Sequence, residues 1–362
     1  MLGVLSAQAD FVNFETPQVS PIAISPDHST LSVCNTADQR VEIFDLSGRY
    51  PHPSGSITVG MDPVSVTYRN NNEIWVVNQL SDSVSIIDLS KRLVRATLQT
   101  DDEPADVVFA GNPQRAYISC SQSDTVLVFN PDDITAPPVR ILIEGEDPRA
   151  LCTSPDGASV YVTIFESGNN STIIGGGSGD DVIDFPPNAV SDPRGPYGGI
   201  NPPPNNGNSF QPRMKRGNPG APPVGLIVKK DQQGKWRDDN NADWSEMVSG
   251  PLASVSGRIN GWDLIDNDLA IIDTRSGTVS YATGLMNICM ATAVNPVSGE
   301  LITVGTEALN EVRFEPNLNG IFVRVMFGIT NPVTLENQVG DLNPHLDYSN
   351  HTTTSMNREQ SI

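Results

Sequence analysis

The residues of this chain best suited to chemistry are carboxylates. Asp239-x-Asn241-x-Asp243 sets side-chain oxygens at alternate positions, as does the opening of a loop that holds a hard cation such as calcium, which takes about 6 to 8 oxygen ligands. Trp244 stands where such a loop has its turn-forming glycine, and Gly250 where it has its closing glutamate. The segment is therefore not an EF-hand, and a hydrated Asx-rich turn competes with a calcium site. A second acidic set recurs in front of prolines, as Asp62-Pro63, Glu103-Pro104 and Asp147-Pro148, with Asp102 and Glu146 beside them and Arg149 following. Such a rim could take a cation or a basic partner.

Nucleophilic and redox chemistry is less well supplied. The four cysteines, Cys34, Cys120, Cys152 and Cys289, form no C-x-x-C, so zinc, thioredoxin-like and C-x-x-C-H haem motifs are not written here. His28, His52, His345 and His351 have no nucleophile or metal ligand at diagnostic spacing. The chain carries 43 acidic against 22 basic side chains and a net charge of -21, a field that repels nucleic acid. One stretch runs the other way: Arg213, Lys215, Arg216, Lys229, Lys230, Lys235 and Arg237 share the 213–237 segment with one acid, Asp231. Trp236, Trp244 and Trp262 lie in or near it and read as core anchors, with Trp236 kept as a candidate partner contact.

The elements that position these residues repeat. Pro63, Pro104 and Pro148 are 41 and 44 residues apart, and Val19 holds the same column 44 residues before Pro63. A short alternating run follows each, then a turn such as Ser25-Pro-Asp-His28 or Ser154-Pro-Asp-Gly157, where a positive φ is expected near the His or Gly. Second strands align as Leu31–Asn35, Ile74–Asn78, Ala116–Cys120, Val160–Ile164 and Leu301–Gly305. Third strands align as Val41–Asp45, Val84–Asp88, Val126–Asn130, Leu269–Asp273 and, loosely, Glu311–Glu315; fourth strands are weaker, as at 94–99 and 279–283. Four short strands in about 40 to 45 residues are the signature of a β-propeller blade. The expected fold class is all-β, a propeller of four-stranded blades with five blades visible.

Tyr161-Val-Thr163, Trp75-Val-Val-Asn78 and the Ser-Pro-Asp turns resemble the YVTN-repeat β-propeller family of bacterial surface and periplasmic proteins. The resemblance covers roughly 17–165 and 267–328. It is specific for fold and weak for activity, since the motif residues are strand and turn positions. Relatives commonly have more than five blades, and some carry c-type haem domains, so the resemblance implies a piece of a larger propeller, a candidate haem-domain partner and, as an alternative function, the propeller module of a periplasmic c-type-cytochrome-associated oxidoreductase. A lactonase-like hydrolase shares the blade spacing.

The expected organisation is an N-terminal arm (1–16), blades one to four in part (17–165), a Gly/Pro/Asn-rich insertion (166–267), the rest of blade four with blade five (268–328), and a polar tail (329–362). Ala7-Gln-Ala9 matches a signal-peptidase site, although only six residues precede it; the expectation is export to the periplasm or beyond, from a start upstream of Met1. No apolar run approaches the ~18 residues of a membrane-spanning helix. In a propeller the links between blades and the b-to-c links within blades share one face, so the insertion, expanded from the b-to-c link of blade four, falls on the face of the acidic rim. Within it a strand is expected at 224–229, a turn at 231–234 and one helical turn at 243–248, the stretch 168–223 being extended or mobile. The expected function is a non-catalytic exported propeller that binds a protein or small ligand through this face, without a cofactor unless calcium sits in the insertion. The site residues are Asp62, Asp102, Glu103, Glu146, Asp147, Arg149 and Trp236, and the basic strip is expected to form a lid held over the acidic rim.

Overall fold

The computed structural model describes residues 18–167, 171–174, 188–203, 216–217, 223–231, 233–308 and 323–346. Its strands form five four-stranded sheets, each with its strands in chain order. The first holds β1 (Ile22–Ile24), β2 (Thr30–Asn35), β3 (Arg40–Asp45) and β4 (His52–Thr58); the second β5 (Pro63–Asn70), β6 (Glu73–Asn78), β7 (Ser83–Asp88) and β8 (Leu93–Gln99). The third holds β9 (Pro104–Ala110), β10 (Arg115–Cys120), β11 (Thr125–Phe129) and β12 (Val139–Leu142). In the insertion, β15 (Ser171–Ile174), β16 (Leu226–Lys230) and β17 (Trp236–Arg237) make a small sheet of their own, which parts β13 (Pro148–Thr153) and β14 (Ser159–Ile164) from β18 (Leu269–Asp273) and β19 (Val279–Ala282) of the fourth. The fifth sheet holds β20 (Ile288–Val294), β21 (Leu301–Ala308), β22 (Val323–Thr330) and β23 (Asn337–Asp341).

The chain divides into two units, one of Met1–Leu142 with Arg149–Leu151, the other of Ile143–Pro148 with Cys152–Ile362. In the first unit, Cys34, Val41, Ile43 and Ile57 of the first sheet pack on Val66, Ile74, Val76 and Ile87 of the second. The other face of the second sheet, with Trp75, Val77, Val84, Ile86 and Leu98, packs on Val107, Ala116 and Ile118 of the third. A sheet buried on both faces has little reason to alternate in polarity, and β6 and β7 are buried at almost every position for that reason.

Turns follow from local side-chain capping. Asp27 Oδ1 accepts from the Ser25 and Ser29 hydroxyls at 2.6 and 2.8 Å, leaving His28 at φ 59°. Asp156 repeats this with Ser154 at 2.6 Å, and Gly157 has φ 69°. The acids before the prolines have an equally local cause. Asp62, Glu103 and Asp147 sit at φ 52°, 50° and 62°, and their carbonyls accept the N–H groups of Gln79, Ser121 and Phe165, each 2.9 Å away, just past the second strand of their own sheet. A left-handed residue is required at this corner, and Asp tolerates that conformation better than most side chains.

The first unit is pinned at Asp106, 1% exposed within β9. Its Oδ1 accepts from the Ser65 hydroxyl and, at 2.8 Å, from its neighbour's N–H at Val107; its Oδ2 accepts from the Ser20 hydroxyl and the Leu151 N–H, each at 2.9 Å. Burial raises its pKa, and these donors act against the rise.

The fifth sheet corrects the expected boundaries. Its third strand is β22, paired with every residue of β21 from Leu301↔Thr330 to Ala308↔Val323, and its fourth strand is β23, inside the stretch expected as tail. The apolar run 323–330 matches the full length of β21, and Asn331 then caps the turn to β23 by accepting from the N–H groups of Val333 and Thr334. The expected strand at 311–315, the N-terminal arm and His351 lie outside the described residues. In the insertion, β16 and the Asp231–Gly234 turn stand where expected, with a helical turn at Ser245–Val248 (α2). The stretch 168–223, expected to be extended or mobile, includes among its described residues β15 and a helical turn at Asn188–Ser191 (α1).

Asp106→Asn aims an amide NH2 at two of the four donors. Denaturant unfolding at neutral pH should show the first unit less stable by about 1–3 kcal/mol, with Ser20→Ala costing less.

Candidate functional site

In the second unit the insertion is a packed subdomain. Trp236 and Trp244, 1% and 0% exposed, pack with Leu226, Val228, Met247 and Val248, and Trp262 lies half-buried against them. The expectation of core anchors holds, and the assignment of Trp236 as a partner contact is corrected, since a buried ring offers no face to a ligand. Buried Asp238 shapes the Asx-rich turn: Oδ1 accepts from the N–H groups of Asn240 and Ala242 at 2.9 and 3.0 Å, Oδ2 from the Tyr197 hydroxyl and the Trp244 indole at 2.5 and 3.0 Å. The residues of the calcium reading, Asp239, Asn241 and Asp243, stand in this turn. Asp243 accepts from the Ser245 N–H at 3.0 Å and faces Lys235 at 3.7 Å, while Asn241 turns the chain at φ 64°. Among the described residues, no group of three or more His, Cys, Asp or Glu could hold a metal ion.

Four cations of the basic strip are paired. Lys230 pairs with Asp263 at 2.6 Å, Lys235 with Asp243, and Arg237 with Asp231 at 2.5 Å. Lys229 reaches Glu307 on β21, which is 7% exposed and also accepts the Asn287 N–H at 3.0 Å. Of the strip expected to form a lid over the acidic rim, these four cations pair inside the insertion and, through Lys229, with the fifth sheet. Arg216 is exposed; Arg213 and Lys215 lie outside the described residues.

A cavity of about 440 Å³ opens where β15 and β16 meet the fifth sheet. Phe165, Ile173, Ile227, Leu264 and Ile288 form its apolar walls, with the exposed Glu146 and Glu166 at its rim and Thr172 and Asn287 at its polar edge. The Glu166 N–H donates to the Glu146 carbonyl at 3.3 Å, which fixes the two acidic residues side by side. Of the expected site residues, Glu146 alone lines this cavity. Asp147 is a buried corner, and Arg149 gives its backbone carbonyl to the Ser119 hydroxyl. Asp62, Asp102 and Glu103 belong to the first unit, where the Asp102 N–H donates to Ser123 at 2.9 Å and the Glu103 N–H to Asp82 at 3.0 Å. Those bonds join between-sheet links to b-to-c links and place both on one face, as expected. Another groove, of about 420 Å³, lies among the Asp27, Asn71 and Arg92 turns of the first two sheets.

At the end of the insertion lies a buried acid, with a half-buried one beside it, that sequence reasoning missed. Asp268, 1% exposed, accepts from the Leu285 N–H at 2.8 Å and faces the Cys289 thiol at 3.8 Å. Burial, and next the charge of Asp266, raise its pKa to about 7. Burial also raises Asp266 and lowers Lys229. The Cys289 thiol is held far above its ordinary value, chiefly by burial and then by Asp268, so it is no nucleophile. Neither Asp268 nor Glu307 stands in a motif; an acid at the end of an apolar strand was the available signal.

No family model matches the chain, and no curated protein matches it in sequence. Solved structures do. Hydrazine synthase from Kuenenia stuttgartiensis is similar at a TM-score of 0.52 and 15% identity, over 92% of this chain and 68% of that one. The fold is a β-propeller. A functionally unknown protein from Desulfotomaculum acetoxidans (TM-score 0.45, 10% identity, 89% and 68% covered) and a candidate 6-phosphogluconolactonase from Bacteroides uniformis (0.40, 15%, 89% and 83%) are also similar. At 15% identity the hydrazine synthase likeness speaks for the fold and for no activity. No helix among the described residues is long and apolar enough to cross a membrane.

Two measurements check this propeller's site. Asp268 has a folded pKa above its unfolded value of 3.8, so its stabilising protonation is complete below about pH 4 and lost as pH rises through about 7. Unfolding of the second unit should become easier across that window, and Asp268→Asn should flatten the dependence. Lys229→Glu sets a like charge against buried Glu307 and should speed limited proteolysis of the insertion several-fold. Lys235→Glu, in an exposed pair worth ~0.2–1 kcal/mol, should change it little.

Proposed function

We propose that this chain is a non-catalytic binding propeller of the YVTN-repeat kind, working outside the cytoplasm, and that its ligand seats in the cavity at the root of the insertion. The observation that carries this reading is the pairing of apolar walls with two exposed carboxylates, Glu146 and Glu166, in a cavity of about 440 Å³. Pockets for small ligands span about 300–1,000 Å³ and combine apolar walls with a few placed polar groups. The ligand this chemistry selects is an organic cation with an apolar body: the body covers Ile173, Ile227 and Ile288, and the ammonium or guanidinium meets the glutamates. The net charge of -21 adds long-range attraction for such a cation.

Calorimetric titration with alkylammonium and arylalkylammonium ions, matched against alcohols and carboxylates of equal length, tests the reading. The cations should bind best, and the double variant Glu146→Gln, Glu166→Gln should weaken them about tenfold or more, the loss expected for charge-assisted hydrogen bonds. Equal binding of alcohols and cations would overturn the proposal. Turnover of a lactone in the same panel would move the chain to the lactonase-like class.

A further inference from the structure

The groove of about 420 Å³ between the turns of the first two sheets lies wholly within the first unit and is lined by hydrogen-bonding groups of every kind. The carboxylates of Asp27 and Asp45 accept, the amides of Asn71 and Asn72 both donate and accept, and the Arg92 guanidinium donates. Half-buried Phe44 and Leu89 add apolar surface. Short side chains leave the hollow open. The Asp27 N–H donates directly to Asn71 Oδ1 at 3.1 Å. Between the second and third sheets, by contrast, Arg69 reaches across, donating to Gln114 at 3.3 Å and to the Pro131 carbonyl at 3.0 Å and pairing with Asp132 and Glu73.

The far side of the groove is built by a cross-sheet reach. Arg92, at φ 53° in the turn between β7 and β8, donates from Nη1 to the Ser54 carbonyl and from Nη2 to the Ser54 hydroxyl at 2.8 Å. Gly55 admits the guanidinium, since a Cβ there would stand 2.6 Å from Nη1. Other groups keep capacity for a ligand. The bonds that Asp27 receives from Ser25 and Ser29 go to Oδ1, which leaves Oδ2, and Asn71 accepts with Oδ1, which leaves its NH2. The Ser25 hydroxyl foremost holds the Asp27 carboxyl below the usual carboxylate range, and the Ser47 N–H does the same for Asp45, so both remain ionised acceptors.

Charge then decides among ligand classes. Two carboxylates in a chain of net charge -21 disfavour an anion. Arg92 disfavours an organic cation, and its two Nη atoms, engaged on Ser54, do not offer the free fork that a carboxylate takes. A neutral ligand rich in hydroxyls suits every group, because each hydroxyl can donate to a carboxylate and accept from an amide or a guanidinium. We propose that this groove binds a neutral saccharide, with its hydroxyls on Asp27, Asn71 and Asn72 and its C–H face on Phe44 and Leu89. The volume lies within the range of about 300–1,000 Å³ for small-ligand sites.

Calorimetric titration of the unaltered chain with maltose, cellobiose and lactose at millimolar concentration tests this, with glucuronate, glucosamine and glycine as the anionic, cationic and zwitterionic probes. At least one neutral disaccharide should bind, and each charged probe at least about tenfold more weakly. The double variant Asn71→Ala, Asn72→Ala should weaken the saccharide about tenfold or more, the loss of two or more hydrogen bonds. Asn72→Trp, which sets a large ring at an exposed turn beside the groove, should abolish binding. Both variants should keep their circular dichroism and bind alkylammonium ions as the unaltered chain does. Binding of none of the three sugars, preference for a charged probe, saccharide binding that survives both variants, or its loss together with that of the alkylammonium ions would overturn the proposal.

Discussion

A buried carboxylate holding four donors is the constraint on which the first unit depends. Asp106 receives two backbone N–H groups and two serine hydroxyls from four separate stretches of chain, around Ser20, Ser65, Val107 and Leu151. A desolvated charge is expensive unless its lone pairs are filled, so the arrangement is nearly all-or-none: the strand ends must converge for the charge to be tolerated, and the charge fixes how they converge. Apolar contacts between sheets are less demanding about register. The pin supplies position where the packing supplies most of the adhesion.

The second unit uses the same device at the insertion. Glu307 is buried near the end of a fifth-sheet strand, and its charge is answered by Lys229 from the insertion and by the Asn287 N–H. The insertion's own core of tryptophans could form without the fifth sheet, but its placement beside the cavity depends on this tie. Lys230, Lys235 and Arg237, drawn into pairs with Asp263, Asp243 and Asp231, add solubility and local order more than attachment.

What could be read from the sequence was whatever repeats. The proline columns, the aligned second and third strands and the Ser-Pro-Asp turns report local backbone requirements that recur in each blade, and the four-stranded sheets follow from them. Blade five was misjudged at its outer strands because its repeat is stretched: the third strand begins at Val323 in place of the expected 311, and the fourth is the polar Asn337–Asp341. The site was legible only at Glu146. Glu166, Asn287 and Glu307 are brought together by an excursion of about a hundred residues between β14 and β18, and no local spacing records such a meeting. Asp106 looks from sequence like an ordinary acid near a strand start, since the donors it gathers are up to 86 residues away.

The corner residues Asp62 and Glu103 serve two masters, a left-handed backbone and a negative surface, whereas the buried Asp147 serves the first alone. Asparagine or glycine would satisfy the first and abandon the second. Charge at each blade junction can therefore drift without disturbing the scaffold, and a propeller built this way can be retuned from anionic to neutral one corner at a time, while a branched residue at the same place would be barred by its own backbone.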